Sequence, residues 1–251
     1  MNSPAILAFV FALGTILGSF LNVVIYRLPR KQSLVRPGSH CPRCGTPVRP
    51  ADNIPLLSFV LLRGRCRTCR APIGWRYPLV EATAGVLLVL IWSSYAPAGA
   101  WLALVSGAVL ALSLLAVFFI DLDHQIVPNA ITYPGLAAGL ALSALQGRIV
   151  PAVVAAAGAG AFFLLIALVS RGGMGGGDIK LAAMMGAFLG WPGIAVGLLV
   201  GFLVGAAAGL VLMAARKRSR KDPIPFGPAL AVGGVVALLA GDVLLRWWLS
   251  L

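Results

Sequence analysis

The sequence predicts an all-α polytopic membrane protein, with about eight transmembrane helices and one small cytoplasmic loop domain. Three observations carry that expectation. Of the 251 residues, 60% are hydrophobic and only 11% are charged, whereas a soluble domain carries about 25% charged residues. The apolar residues gather into runs close to the roughly 20 residues that span a bilayer. The basic residues lie between those runs: eleven of the twenty Lys and Arg fall between Arg27 and Arg76, and five more in the run Arg216 to Lys221. A chain this apolar cannot present a polar exterior to water, so lipid is its solvent.

The net charge of +13 would by itself suggest a nucleic-acid partner. Its placement argues against one, because clusters flanking apolar runs follow the positive-inside pattern of membrane proteins. The lipid bilayer is the partner this charge reports. Basic charge here sets orientation.

In chain order the expected spans are 5–26, 79–96, 99–120, 130–147, 151–170, 179–191, 193–215 and 229–249. The first is a retained helix rather than a cleaved signal peptide. No basic stretch precedes it, no small-residue cleavage site follows it, and Arg27, Arg30 and Lys31 hold its C-terminal end in the cytoplasm. The N-terminus is then outside, and 27–78, 121–129, 171–178 and 216–228 are cytoplasmic. With Lys180 at one edge, these segments collect eighteen of the twenty basic residues and leave only Arg148 and Arg246 outside. The span at 179–191 is short, about 20 Å against a hydrocarbon core of roughly 30 Å. It must tilt, sit in a thinned bilayer or continue beyond Pro192. Gly201, Gly205, Ala206, Ala207, Ala208 and Gly209 suit close helix packing in lipid. The expected division is a first helix over 1–26, a polar loop domain over 27–78 and a helix bundle over 79–251. A loop of about 50 residues needs a staple to fold.

The staple is legible. All four cysteines lie in that loop, as Cys41-Pro-Arg-Cys44 and Cys66-Arg-Thr-Cys69. Paired Cys-x-x-Cys turns at this separation predict a four-thiolate zinc site, each turn presenting two ligands of a tetrahedron. Arg43, Arg65, Arg67 and Arg70 offset the negative charge of four thiolates. Two disulfides or a redox pair are the alternatives, and a reducing cytosol disfavours them. His40 can substitute for a ligand, but four thiols already close the site, which makes the zinc structural.

Only seven acids occur, and three of them sit at the edges of spans: Asp121, Asp123 and Asp178. Ionisable groups at membrane depth are costly and point to function. Two helices separate Asp121 and Asp123 from Asp178, and an even number of crossings returns the chain to the same face. Two carboxyls about 3 Å apart share one proton. The ionised partner can then take a proton from water while the protonated one polarises a peptide carbonyl. Asp121 and Asp123 point to different faces of a helix, so one of them joins Asp178, and spacing does not say which. Gly175, Gly176 and Gly177 leave room for a substrate backbone; taken alone they read as a flexible loop. His124 reads as an interfacial residue. Lys180 pairs with Asp178 or snorkels, and Glu81 pairs with an arginine such as Arg76.

Several motifs stand in order along nearly the whole chain: Gly18-Ser-Phe-Leu-Asn-Val-Val-Ile-Tyr-Arg-Leu-Pro29, the cysteine pairs with Asp52-Asn-Ile-Pro-Leu-Leu-Ser58 and Arg63-Gly-Arg-Cys-Arg67 around them, Arg76-Tyr-Pro-Leu-Val-Glu81, Asp121-Leu-Asp-His-Gln125, Gly175-Gly-Gly-Asp178 and Pro225-Phe-Gly-Pro228. Together they resemble the bacterial type IV prepilin peptidases. The resemblance implies an aspartic protease of the Gly-x-Gly-Asp class in the bacterial inner membrane, its site facing the cytoplasm, with Asp121 and Asp178 as the active acids. It implies prepilin or pseudopilin precursors as substrates, cut after a glycine between a short basic leader and a long apolar helix. A basic leader is repelled by this chain's own charge, so recognition comes from the apolar helix and the cut site. Many members also methylate the new N-terminus with S-adenosylmethionine, and those carry the paired cysteines seen here, so the resemblance implies methylation as well. No Rossmann-type glycine motif occurs and the loop is too small for a standard methyltransferase domain, so the sequence assigns no residues to methyl transfer.

Two other classes fit parts of the pattern. A metal-dependent lipid phosphotransferase or prenyltransferase also carries spaced aspartates at a membrane face, but holds its metal with several carboxylates, whereas Asp178 stands alone. A non-enzymatic membrane scaffold would tolerate loss of both acids.

Overall fold

The computed structural model describes residues 2–170, 175–215 and 225–250. The expected cytoplasmic positions 171–174, and the whole basic run Arg216 to Lys221 with the three residues after it, lie outside them. The described chain is helical, with α1 (Pro4–Arg27), a 3₁₀ turn (Pro50–Asn53), α2 (Leu57–Leu61), α3 (Arg76–Tyr95), α4 (Trp101–His124), α5 (Asn129–Leu145), α6 (Ile149–Val169), α7 (Gly176–Ala214) and α8 (Gly227–Leu249). Two isolated bridges, His40 with Pro47 and Arg65 with Pro72, are the only extended pairings among the described residues.

Each of the eight apolar stretches lies in a helix. Six helices among the described residues are long and apolar enough to cross a membrane. The count is below eight for two physical reasons. α5 has 17 residues and carries Pro134. α7 joins two expected spans in 39 residues, and its backbone leaves helical geometry at Gly190 (φ 62°) and Trp191, just before Pro192. Proline removes a helical hydrogen bond and clashes with the preceding turn, and glycine takes the positive φ at low cost. Large apolar side chains face outward, among them Phe9 at 70% and Val169 at 76% exposure. In water such a surface would aggregate. The protein is a multi-pass membrane protein.

The chain forms two compact units, residues 1–98 and 99–251. In the first, α1 packs on α3. A Cβ built at Gly14 would lie 2.7 Å from the Gly85 Cα, and one at Gly18 2.7 Å from the Glu81 Cα. Small residues four apart let two membrane helices approach to backbone contact. Gly14→Val should therefore push α1 from α3 and cost about 1–3 kcal/mol. A thermal melt in detergent reads this as a lower midpoint, and an unchanged midpoint would contradict the contact.

The second unit is built around Leu110, Leu114, Val117, Phe163, Leu181, Met184, Met185 and Leu230. The expected small-residue packing occurs on one face of α7. Gly201 meets the Ala229–Leu230 backbone of α8 and Gly205 meets the Phe226 ring, while Ala206, Ala207 and Ala208 face outward.

Candidate active site

On α4 the buried residues Leu110, Leu114, Val117 and Asp121 recur at spacings of four, three and four. That is one face of a helix. Asp121 ends this inward stripe and is 5% exposed, whereas Asp123 lies off it and is exposed. The helix stops one turn later. Gln125 adopts a left-handed conformation (φ 53°) and its N–H donates to the Asp121 carbonyl at 2.9 Å. His124, in the last turn, is half-buried.

Asp178 enters from the other side, in the first turn of α7, and is 9% exposed. Its N–H donates to the Gly175 carbonyl at 3.1 Å, closing the turn. The absence of side chains matters at Gly177, where a Cβ would lie 2.9 Å from the Val127 Cβ. The segment leaving α4 thus lies directly on the start of α7. The Asp121 and Asp178 carboxyls are near enough for direct electrostatic interaction. Lys180, one turn along, donates to the Asn129 side chain and lies 5.6 Å from the Tyr133 ring centroid.

A third element completes the surroundings of Asp121. The Gly227 N–H, 106 residues away in sequence, donates to Asp121 Oδ2 at 3.0 Å. Phe226 holds this turn in place, its ring 5.3 Å from Phe202 and 6.2 Å from Phe163. Nothing in the sequence pointed to a hydrogen bond from Gly227, because backbone donors leave no trace in residue type.

In the first unit the four cysteines converge. Their Sγ atoms all lie within 4.8 Å of one another, and Cys41 and Cys69 are 3.8 Å apart. A tetrahedron with Zn–S bonds of about 2.3 Å has S···S edges of about 3.8 Å. The two turns are built alike. The Cys41 N–H donates to the Thr46 carbonyl and the Gly45 N–H to the Cys41 carbonyl; the Cys66 N–H donates to the Ala71 carbonyl and the Arg70 N–H to the Cys66 carbonyl. Gly45 and Arg70, each just after the second cysteine, both have positive φ. Hydrogen bonding to the side chain and then the backbone of Thr46 holds the Cys44 thiol down to about 6. The Cys69 thiol is drawn down most by its backbone hydrogen bond at Ala71, but burial and its neighbouring thiols outweigh this and push it up to about 11. Four sulfurs this close cannot all ionise without a cation among them, so the donor set fits a metal. Arg67 clamps Asp52 with Nε–Oδ2 at 2.8 Å and Nη2–Oδ1 at 2.5 Å, tying the second turn to the 3₁₀ turn. That hydrogen bonding holds the Asp52 carboxyl below the usual carboxylate range.

The same unit holds a partly open cavity of about 1230 Å³ bordered by α1, the loop and α3. Glu81 lines it. The sequence led us to expect an arginine at this carboxylate; the Leu56 N–H donates to it at 2.8 Å, and Ser19 hydrogen-bonds it too.

Two family descriptions match the chain. The bacterial peptidase A24 N-terminal domain covers residues 12–95, and the type IV leader peptidase family covers 108–210. A prepilin leader peptidase/N-methyltransferase of Aeromonas salmonicida is 40% identical over 96% of this chain and 93% of its own length. The chain belongs to the type IV leader peptidase family. Proteins of the same name from Pseudomonas aeruginosa (40% identical, 97% of this chain and 94% of theirs) and Neisseria gonorrhoeae (38%, 99% and 96%) are similar throughout. No solved structure matches. The boundary between the two leader-peptidase matches, 95 to 108, contains the break between the two compact units at 98 and 99. The cysteines and Glu81 fall in the first match, and Asp121 and Asp178 in the second.

Proposed function

We propose that this chain is an aspartic endopeptidase that removes the basic leader from type IV prepilins or pseudopilins and then methylates the new N-terminus. Family membership supports the class of reaction. The observation that carries the site assignment is the meeting of two buried carboxyls, Asp121 and Asp178, from opposite ends of an α4–α7 stretch. Sharing one proton, the ionised carboxyl takes a proton from water as the oxygen attacks the scissile carbonyl carbon. The protonated one donates to the carbonyl oxygen as it gains charge. The Gly227 N–H fixes Asp121 for this. We place the site on the cytoplasmic side of the inner membrane, where the basic loop 27–78 also lies by the positive-inside pattern. The precursor's apolar helix lies beside the spans there, and nucleic acid has no part.

The test is direct. The purified protein is incubated with a prepilin, with and without S-adenosylmethionine, and product masses are read. The expected products are the leader-less pilin without the methyl donor, and the same pilin one methyl heavier with it. An intact precursor in both would end the proposal. Cleavage that depends on added magnesium would replace the proton-sharing acid pair with metal-assisted hydrolysis.

We assign Cys41, Cys44, Cys66 and Cys69 to a structural zinc, which when bound crosslinks the two turns of the loop. Cys41→Ser and Cys66→Ser should each lower zinc from one per chain to near none and open the loop to added protease, since structural zinc contributes about 10–16 kcal/mol of apparent binding energy. Unchanged zinc content in both would overturn the ligand set.

A further inference from the structure

Peptide cleavage makes no use of the cavity in the first unit. Glu81, which lines it, is 8% exposed. Among the described residues its donors are the Leu56 N–H and the Ser19 hydroxyl, both neutral. They orient the carboxylate without cancelling its charge, and a carboxylate has about four acceptor sites, so capacity remains. Tyr26, Phe59 and Tyr77 also line the space, as do the exposed Arg36 and Arg49. A buried carboxylate with aromatic faces suits a cationic centre. Arginines suit a ligand carboxylate, and aromatic rings also suit a flat heterocycle. The cavity of about 480 Å³ in the second unit differs in kind, being lined by residues such as Val154, Phe162, Ile194 and Leu198. It offers nothing to a charged ligand.

We propose that the first-unit cavity is the methyl-transfer site: it takes S-adenosylmethionine together with the N-terminal amine of the cleaved pilin, and Glu81 receives the amine's proton. The proposal rests on the reading that this chain methylates its product. An α-amine is mostly protonated at neutral pH, with a pKa of about 7.7–8.0, and has no lone pair to offer in that form. The ammonium first gives one proton to the Glu81 carboxylate. The nitrogen lone pair then forms a bond to the methyl carbon while the carbon–sulfur bond breaks. The electron pair of that bond returns to sulfur, which leaves as a neutral thioether, and the nitrogen becomes a secondary ammonium. Glu81 passes its proton to solvent. No other reactant is needed.

The test uses the full chain in detergent with a prepilin and S-adenosylmethionine. Glu81→Gln should cleave at the wild-type rate while the rate of methylation falls about a hundredfold. Methylation unchanged in that variant overturns the proposal. A second measurement needs no variant: hydrogen exchange of the wild-type protein with and without S-adenosylhomocysteine. Exchange should slow in 16–27, 52–59 and 77–81 and stay the same in the second unit. Protection absent there, or found only in the second unit, overturns the proposal whatever Glu81→Gln does. If the wild-type product is cleaved but never methylated, the methylation reading itself falls and takes this site with it. Methylated product with protection mapped elsewhere sinks the site alone.

Discussion

Asp178→Asn should leave prepilin intact, with kcat down about 10⁴-fold or more, in a protein that still carries its zinc and its helices. Asn has nearly the shape of Asp, so the first turn of α7 and its N–H to the Gly175 carbonyl survive. What disappears is an ionisable oxygen. Asn can neither take a proton from water nor share one with Asp121, so both halves of the acid–base pair fail together. Asp121→Asn should be as damaging for the same reason, and the double variant hardly worse than either single one, since groups acting as a unit are non-additive. Asp123→Asn is the internal comparison. That residue is exposed and off the buried stripe of α4, and its loss should cost far less. Initial rates of leader release over a range of substrate concentrations decide the matter. Turnover surviving in Asp178→Asn would dismiss the dyad.

The contrast between Asp121 and Asp123 also shows where a sequence stops informing. Spacing places them on different faces, but α4 is apolar on nearly every side, because lipid accepts the same residues as the interior does. No polar face marks the outside, so the inward stripe through Leu110, Leu114 and Val117 becomes visible only in the fold. The spans themselves were legible, since length and hydropathy are local properties. So was the break in α7, where Pro192 announces a stop; Gly190, which makes the turn, carries no comparable signal. The cysteine cluster was legible for the opposite reason to Asp121: two short turns with fixed offsets carry most of their geometry within six residues each. Glu81 shows the limit again. A charge near arginines suggests an ion pair, yet a backbone N–H from Leu56 reaches it, and backbone groups are the same at every position.

The same blindness applies to Gly227, and its consequence is large. A Cβ at this position would lie 2.6 Å from Asp121 Oδ2, 3.0 Å from its Cγ and 3.2 Å from its Cβ. Gly227→Ala therefore cannot fit unless the carboxyl or the start of α8 moves. α8 is held at that end by Phe226 among Phe163 and Phe202, so the carboxyl, which is smaller, is the part that yields. A displacement of about 1 Å at a reacting group costs roughly a hundredfold in rate. We expect kcat for cleavage to fall by about that factor while KM changes less than about twofold, because the apolar helix of the precursor is bound elsewhere. Helix stability does not explain such a loss, as alanine is favoured over glycine in a helix by about 0.5–1 kcal/mol. Gly241→Ala supplies the control on the same helix. A Cβ there meets nothing within 4 Å, and this variant should cleave like the parent. Should Gly227→Ala keep full kcat, Asp121 must tolerate displacement, and a fixed carboxyl pair would no longer describe how the peptide bond is broken. Should it instead raise KM alone, the turn at Phe226 and Gly227 belongs to substrate binding rather than to the placement of the acid.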